Sequence, residues 1–315
     1  MNILPTSLST MLAIFYALMP IFSLIVLGWV FRRWRFPSAS FWTAADRLTY
    51  FVLLPSLIIQ KLAVAEFTTA LLGSLFAVLC GIVIVVGLMA LTAGRLGSIQ
   101  AAALTSVFQG SIRPNTYVVL AASAALYGSE GLALAIIPLA GVIPLVNILC
   151  ILSFAYFVPS GKRTFFGVAK SIFQNPLVIA CIIGVTLNMT NIGLPFFTFD
   201  LLDILASAAL PMGLISVGTG LRPLENSSMI LPMAIASVAK LLAMPAMAYL
   251  SLQFLDVSGL PLAVGTLFCS VPCAVSSYIL AGHLNGDQPL MASIITVETL
   301  LAFSTIPFIL FLLTG

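Results

Sequence analysis

An arginine, a proline and an asparagine stand side by side as Arg113, Pro114 and Asn115, inside a stretch that is otherwise apolar from about Ser98 to Tyr127. Arg113 lies about fifteen residues from either end of that stretch, roughly 22 Å along a helix, too far for its side chain to reach water easily. A charge held at that depth is costly and marks a pathway or a site. Proline removes a backbone donor and clashes with the preceding turn. Backbone groups freed by such a break are tolerated where they line a cavity or bind a ligand. The chemistry this points to is the holding of an anion by a guanidinium and the positive ends of interrupted helices. Gln109 and Asn115 add uncharged hydrogen-bonding groups to the same segment.

A second break of the same kind runs from Phe268 to Tyr278, with Pro272 about thirteen residues from each end of its apolar stretch and Ser276 and Ser277 just after it. Lys240 and Glu298 are further ionisable groups at the depth of the apolar segments. Two readings of them stay open. They pair with each other or a neighbour and lock helices, or they serve the site. In the second reading Lys240 joins Arg113 as the second cation that a dicarboxylate needs, and Glu298 is the coupling carboxylate, able to exchange a proton under the influence of nearby substrate charge. The substrate-binding candidates are therefore Arg113, Pro114, Asn115, Gln109, Pro272, Ser276, Ser277 and Lys240, with Glu298 as the coupling candidate. Polar groups on membrane helices also tie helices together, which is the competing role for the serines and amides.

The remaining reactive residues carry less. Cys269 and Cys273 are four apart on one helical face, but no histidine or third thiol joins them, so they read as packing residues and no metal site is expected. His283, the single histidine, lies near the end of its span. Asp46 and Asp203 stand near the starts of spans two and seven and read as facing the interface between helices. The sequons at Asn188 and Asn226 have no expected use.

The elements that position these groups follow from composition. Of 315 residues, 61% are hydrophobic and 7% charged, against about 25% charged in a soluble domain, and mean hydropathy is +1.21. Apolar runs of about 20 residues recur with short loops, which predicts an all-α polytopic membrane protein; the ten-residue alternation of a β-barrel is missing. The first run, about 10–31, is too long for a signal-peptide core and reads as a span. Ten spans are expected, near 10–31, 41–62, 68–93, 98–126, 130–157, 171–190, 197–219, 229–252, 259–284 and 289–313. With both termini outside, Arg32, Arg33, Arg35, Arg47, Arg95, Lys162, Arg163, Lys170 and Arg222 fall on the cytoplasmic side and only Lys61 outside, a strong positive-inside bias.

The halves echo each other. Leu54-Pro55 and Leu210-Pro211 are offset by 156, while an offset of 158 aligns Pro114 with Pro272, Gly128 with Gly286 and Leu132 with Leu290. Five spans per half invert the second copy, so residues 1–157 and 171–315 form a 5+5 inverted repeat in which broken spans four and nine correspond. Inverted repeats with matching broken helices are the signature of secondary transporters, with the substrate where the breaks meet.

The chain resembles the auxin efflux carrier family, in particular bacterial members described as malonate or other organic-acid permeases. The resemblance rests on Leu53-Leu54-Pro55, Arg113-Pro114-Asn115-Thr116-Tyr117, Leu126-Tyr127-Gly128, Pro144-Leu145-Val146-Asn147, Pro272-Cys273-Ala274-Val275-Ser276-Ser277-Tyr278 and Gly286-Asp287. It implies a fold like that of bile-acid and sodium–proton transporters, with a scaffold of spans 1, 2, 6 and 7. The mobile transport domain it implies comprises spans 3–5 and 8–10, working as an elevator around the crossing of the two broken helices. It implies a homodimer through the scaffold, residence in a bacterial inner membrane, and H+ or Na+ as possible coupling ions. The short segment from Pro159 to Lys170 replaces the long hydrophilic loop of plant members.

The function expected is secondary transport of a small organic anion, a carboxylate or dicarboxylate such as malonate. Carriage of auxin-like aromatic monocarboxylates and an anion channel or sensor are the alternatives. An enzyme is not expected, for want of a nucleophile–base set or a His-Glu-x-x-His pattern; nor are a nucleotide-binding loop, an organic cofactor or a nucleic-acid partner.

Overall fold

The computed structural model describes residues 8–65, 69–158, 175–194, 196–222 and 229–314. Lys162, Arg163 and Lys170, the first residues of the predicted span near 171–190, and the Asn226 sequon lie outside the described residues. In chain order the helices are α1 (Leu8–Arg33), α2 (Ala39–Leu48), α3 (Leu54–Ala63), α4 (Thr69–Leu96), α5 (Ala101–Ile112), α6 (Thr116–Phe157) and α7 (Pro176–Met189). They continue as α8 (Thr198–Gly220), α9 (Ile230–Val238), α10 (Met244–Phe254), α11 (Gly259–Ser270), α12 (Ser276–His283) and α13 (Gln288–Thr314). No strand is present among the described residues; the one extended pairing is an isolated antiparallel bridge between Pro114 and Cys273.

Proline shapes several of these elements. Thr49–Leu53 and Ala239–Ala243 are π-helical turns, joining α2 to α3 and α9 to α10, each just ahead of a helix that opens with Pro55 or Pro245. A proline cannot close the ordinary i to i−4 bond, and widening the turn before it keeps the helix running. The two long interruptions are different: helical geometry stops at Arg113, with ψ 108°, and at Val271, with ψ 153°, and resumes at Thr116 and Ser276. Gly128, at φ 66° and ψ −155°, turns the chain inside α6, whose 42 residues would otherwise run about 63 Å, twice the hydrocarbon thickness.

Among the described residues, six segments are long and apolar enough to cross a membrane unaided: Met11–Arg33, Leu75–Leu96, Thr116–Ile136, Thr198–Gly220, Ile230–Phe254 and Gln288–Leu312. Shorter apolar helices cover Ala101–Ile112, Gly141–Phe157, Pro176–Met189 and Gly259–Ser270. The broken spans predicted as 98–126 and 259–284 thus each divide into two shorter pieces. Large apolar side chains such as Ile182, Ile204, Leu250 and Leu300 remain exposed on the outer faces, as in a polytopic membrane protein whose solvent is lipid.

Helix contacts fall into two sets. The helices α1, α3, α7 and α8 pack mainly on one another, and α4, α5, α6 and α9–α13 on one another, with α13 also touching α1 and α6 touching all four helices of the first set. The closest approach in the first set is between α1 and α8. A β-carbon on Gly28 would collide with the backbone of Ile215, and one on Gly218 with the backbone of Ile25, so small residues let the two main chains touch. Polar ties reinforce this set: Gln60 Nε2 donates to Asp203 Oδ1 at 2.6 Å and Asn188 Nδ2 to the Ala65 carbonyl at 2.8 Å.

Gly218→Val is expected to force α1 and α8 apart, at a cost of about 1–3 kcal/mol. Thermal unfolding followed by tryptophan fluorescence in detergent should show a midpoint several degrees lower; an unchanged midpoint would contradict the close crossing.

Candidate functional site

At the interruptions the backbone is bonded between the two broken helices. Asn115 N–H donates to the Pro272 carbonyl at 2.9 Å and Ala274 N–H to the Arg113 carbonyl at 3.3 Å. These two bonds flank the Pro114–Cys273 bridge. Residues 114 and 273 form its non-hydrogen-bonded pair, so Pro114 occupies a place in the ladder where no N–H is required. The sequence told that both helices break; it could not tell that each break supplies partners for the other.

A carboxylate fastens the crossing from one side. Glu298, fully buried on α13, accepts the Cys273 N–H at 2.8 Å through Oε2, while Oε1 has no partner. Lys240, fully buried in the π-helical turn before α10, donates to Met244 Sδ at 3.2 Å. It faces Cys269, Cys273 and Glu298 closely enough for charge to be felt, yet Glu298 spends one oxygen on the backbone and the other on nothing, so the direct pairing of the two does not occur. Gln109 is buried beside them with neither amide atom bonded, and its carbonyl takes the Arg113 N–H. Ser277 Oγ and Cys273 Sγ share a hydrogen bond at 3.2 Å.

On the other side lies open space. A cavity of about 260 Å³ is bordered by Asn115, Thr116 and Tyr117 at the start of α6 and by Ala274, Val275 and Ser276 at the start of α12. Its far wall is Asp46, Arg47, Tyr50 and Phe51, with Leu177 and Ser216. A smaller cavity of about 50 Å³ adjoins it through Tyr50, Thr116, Leu177, Ala274 and Ser276, and is bordered by Arg113, Pro114 and Asn147. Two helix N-termini therefore meet the same space, both with the sign that attracts an anion. Asn115 Oδ1 caps one, accepting from Tyr117 and Val118 N–H at 3.2 and 3.3 Å, which leaves its buried Nδ2 without a partner. Arg113 Nη1 is likewise buried and unpartnered. Donors desolvated and left unbonded at the edge of a cavity are costly unless a ligand uses them.

Of the residues expected at the site, Arg113, Pro114, Asn115 and Ser276 border these cavities. Pro272, Ser277, Gln109 and Glu298 build the crossing behind them, and Lys240 borders neither cavity. The pairing of Arg113 with Lys240 around one dicarboxylate is therefore absent from this geometry. The cation bordering the larger cavity is Arg47, next to Asp46, whereas Arg113 borders the smaller one. Sequence reasoning passed over Arg47, Tyr50, Tyr117, Asn147 and Ser216 as site residues. Asn147 had a signal, in the Pro144–Asn147 segment; the others come from helices whose facing surface only packing decides.

Residues 162–310 match the family described as membrane transport protein. A curated protein of Rhizobium meliloti (strain 1021) named "Putative malonate transporter" is 27% identical over 206 residues, which cover 59% of this chain and 63% of that protein. The chain thus matches less than two thirds of the length of that relative.

Glu298→Ala should orphan the Cys273 N–H and destabilise the fold by about 1–3 kcal/mol, whereas Glu298→Gln retains an acceptor and most of the stability. Unfolding midpoints of the two variants that coincide would sink the role given to this bond.

Proposed function

We propose, from the match of residues 162–310 to the membrane transport protein family and from the resemblance to the auxin efflux carriers, that the chain is a secondary carrier of a small carboxylate, bound where the two broken helices cross. The observation that carries this is the half-buried Arg113 guanidinium, its Nη1 enclosed and unbonded, at the rim of the smaller cavity, which also receives the starts of α6 and α12. A cavity of about 260 Å³ lies below the roughly 300–1,000 Å³ of drug-sized sites, which favours a small substrate. Arg113 would hold one carboxylate and Arg47 the second of a dicarboxylate such as malonate. The substrate class in the name of the Rhizobium meliloti relative agrees with that.

The ten-span, inverted-repeat elevator belongs to the same proposal. The two packing sets match the division expected between a scaffold of spans 1, 2, 6 and 7 and a transport domain of spans 3–5 and 8–10, and the cavities lie on the boundary between them. Alternating access would then move the crossing past Asp46, Arg47 and Tyr50. Glu298, tied to the backbone of the crossing, is the candidate for proton coupling: its charge state bears on the same backbone that positions Ala274 and Ser276. Dimerisation through the scaffold and an inner-membrane setting with both termini outside complete the reading.

A second reading has one observation in its favour. Tyr50, Phe51 and Tyr117 line the larger cavity, and aromatic walls suit an aromatic monocarboxylate of the auxin type. Counterflow in proteoliposomes with a panel of mono- and dicarboxylates separates the two, and a channel would give no counterflow at all.

Arg113→Ala should abolish binding while the protein remains folded and inserted, and Arg113→Lys should bind more weakly for want of the planar fork. Binding by calorimetry at wild-type strength in Arg113→Ala would refute the site. Glu298→Gln should flatten the pH profile of transport; an unchanged profile would remove Glu298 from the coupling.

A further inference from the structure

A second cavity, of about 690 Å³, lies away from the crossing in a groove between α1 and α13. Its walls are apolar: Met19, Phe22, Val26 and Trp29 from α1, Leu300 and Phe303 from α13. Its two threonine hydroxyls are turned to backbone, Thr299 donating to the Ile295 carbonyl at 2.7 Å and Thr296 to the Arg222 carbonyl at 3.0 Å, and Ser23 is exposed. From Met19 to Trp29 the groove runs about 15 Å along the helix, which is the depth of one leaflet of the hydrocarbon core. Met19, Val26, Trp29 and Leu300 are exposed, so the groove opens on the surface that faces lipid.

The Trp29 end is not apolar. Arg32 follows one turn later on α1 and donates Nη1 to the Thr219 carbonyl at 2.7 Å. Arg222, just after α8, has its backbone N–H on Thr296 Oγ1 at 3.0 Å and its guanidinium 5.2 Å from the centre of the Tyr278 ring. Arg32 and Arg222 stand close enough to feel each other's like charge, and among the described residues no acidic side chain bears on Arg32. Arg222 Nε is buried without a hydrogen-bond partner. Arg33 and Arg35 extend the basic rim, and Trp29 and Trp34 give it the aromatic girdle of a membrane interface. Two guanidiniums side by side over an apolar slot, one with a buried free donor, complement a phosphate with a hydrocarbon tail. The cytoplasmic leaflet, where the positive-inside bias places this end, is the one rich in anionic lipid.

We propose that the α1–α13 groove is a binding site for one anionic phospholipid, its phosphate held between Arg32 and Arg222 and one acyl chain lying along Phe22, Val26 and Phe303. The site shares no lining residue with the cavities at the crossing and does not depend on what the chain transports.

Native mass spectrometry of the full chain, purified in detergent and supplied with phosphatidylglycerol or phosphatidylcholine of the same acyl chains, tests it. Wild-type protein should retain phosphatidylglycerol about tenfold more than phosphatidylcholine, and inorganic phosphate should compete poorly. Arg32→Gln combined with Arg222→Gln should reduce retention to the phosphatidylcholine level. Ser23→Phe, which fills the groove and leaves both arginines in place, should do the same, and it decides alone if the double variant fails to fold. Equal retention of the two lipids, an undiminished preference in either folded variant, or full displacement by inorganic phosphate would overturn the proposal.

Discussion

Two backbone hydrogen bonds, Asn115 to Pro272 and Ala274 to Arg113, are the constraint on which the rest of the structure turns. Helices broken in mid-membrane leave donors and acceptors that lipid cannot satisfy, at several kcal/mol for each unsatisfied group. Here each break supplies what the other lacks. Pro114 falls where the ladder needs no donor, the Asn115 carbonyl opposite Pro272 accepts from Val119 N–H at 3.0 Å instead, and Glu298 accepts the N–H of Cys273 that the pairing leaves over. A crossing held this way fixes the distance and angle between the starts of α6 and α12, and with them the cavity that both border.

The electrostatics follow from the same geometry. Four helix ends meet at the crossing, two positive and two negative. The positive ends, at Thr116 and Ser276, face the cavity; Lys240, the buried cation of the other side, lies among Cys269, Cys273 and Glu298. Backbone orientation together with Arg113 thus gives this space a positive character without a cluster of basic side chains. Lys240 acts as a counter-charge within the support of the crossing, near Glu298 but not bonded to it.

Much was legible in the chain. Pro114 and Pro272 marked the breaks, and Arg113 was conspicuous as a charge within an apolar stretch. The partners of those residues were not legible. Asp203 could be placed at an interface from its position, but its bond to Gln60 could not. Lys240 was assigned to the substrate because it was a second cation at the right depth; a helix coordinate gives depth and not azimuth. In a lipid solvent the usual azimuthal signal is weak, since lipid-facing and core-facing residues are equally apolar.

Composition and spacing alone thus determined the helical class, the membrane as solvent and the two interruptions. Each of these follows from local rules: length of apolar runs and the missing proline donor. Only the tertiary structure decided which groups share a space. It brought Asp46, Arg47, Tyr50 and Ser216 to the cavity, left Lys240 behind the crossing, and set Arg32 beside Arg222 at the end of an apolar groove. The physical reason is that these neighbours come from helices far apart in the chain, and their juxtaposition is set by close backbone contacts such as Gly28 against Ile215, which no local pattern encodes.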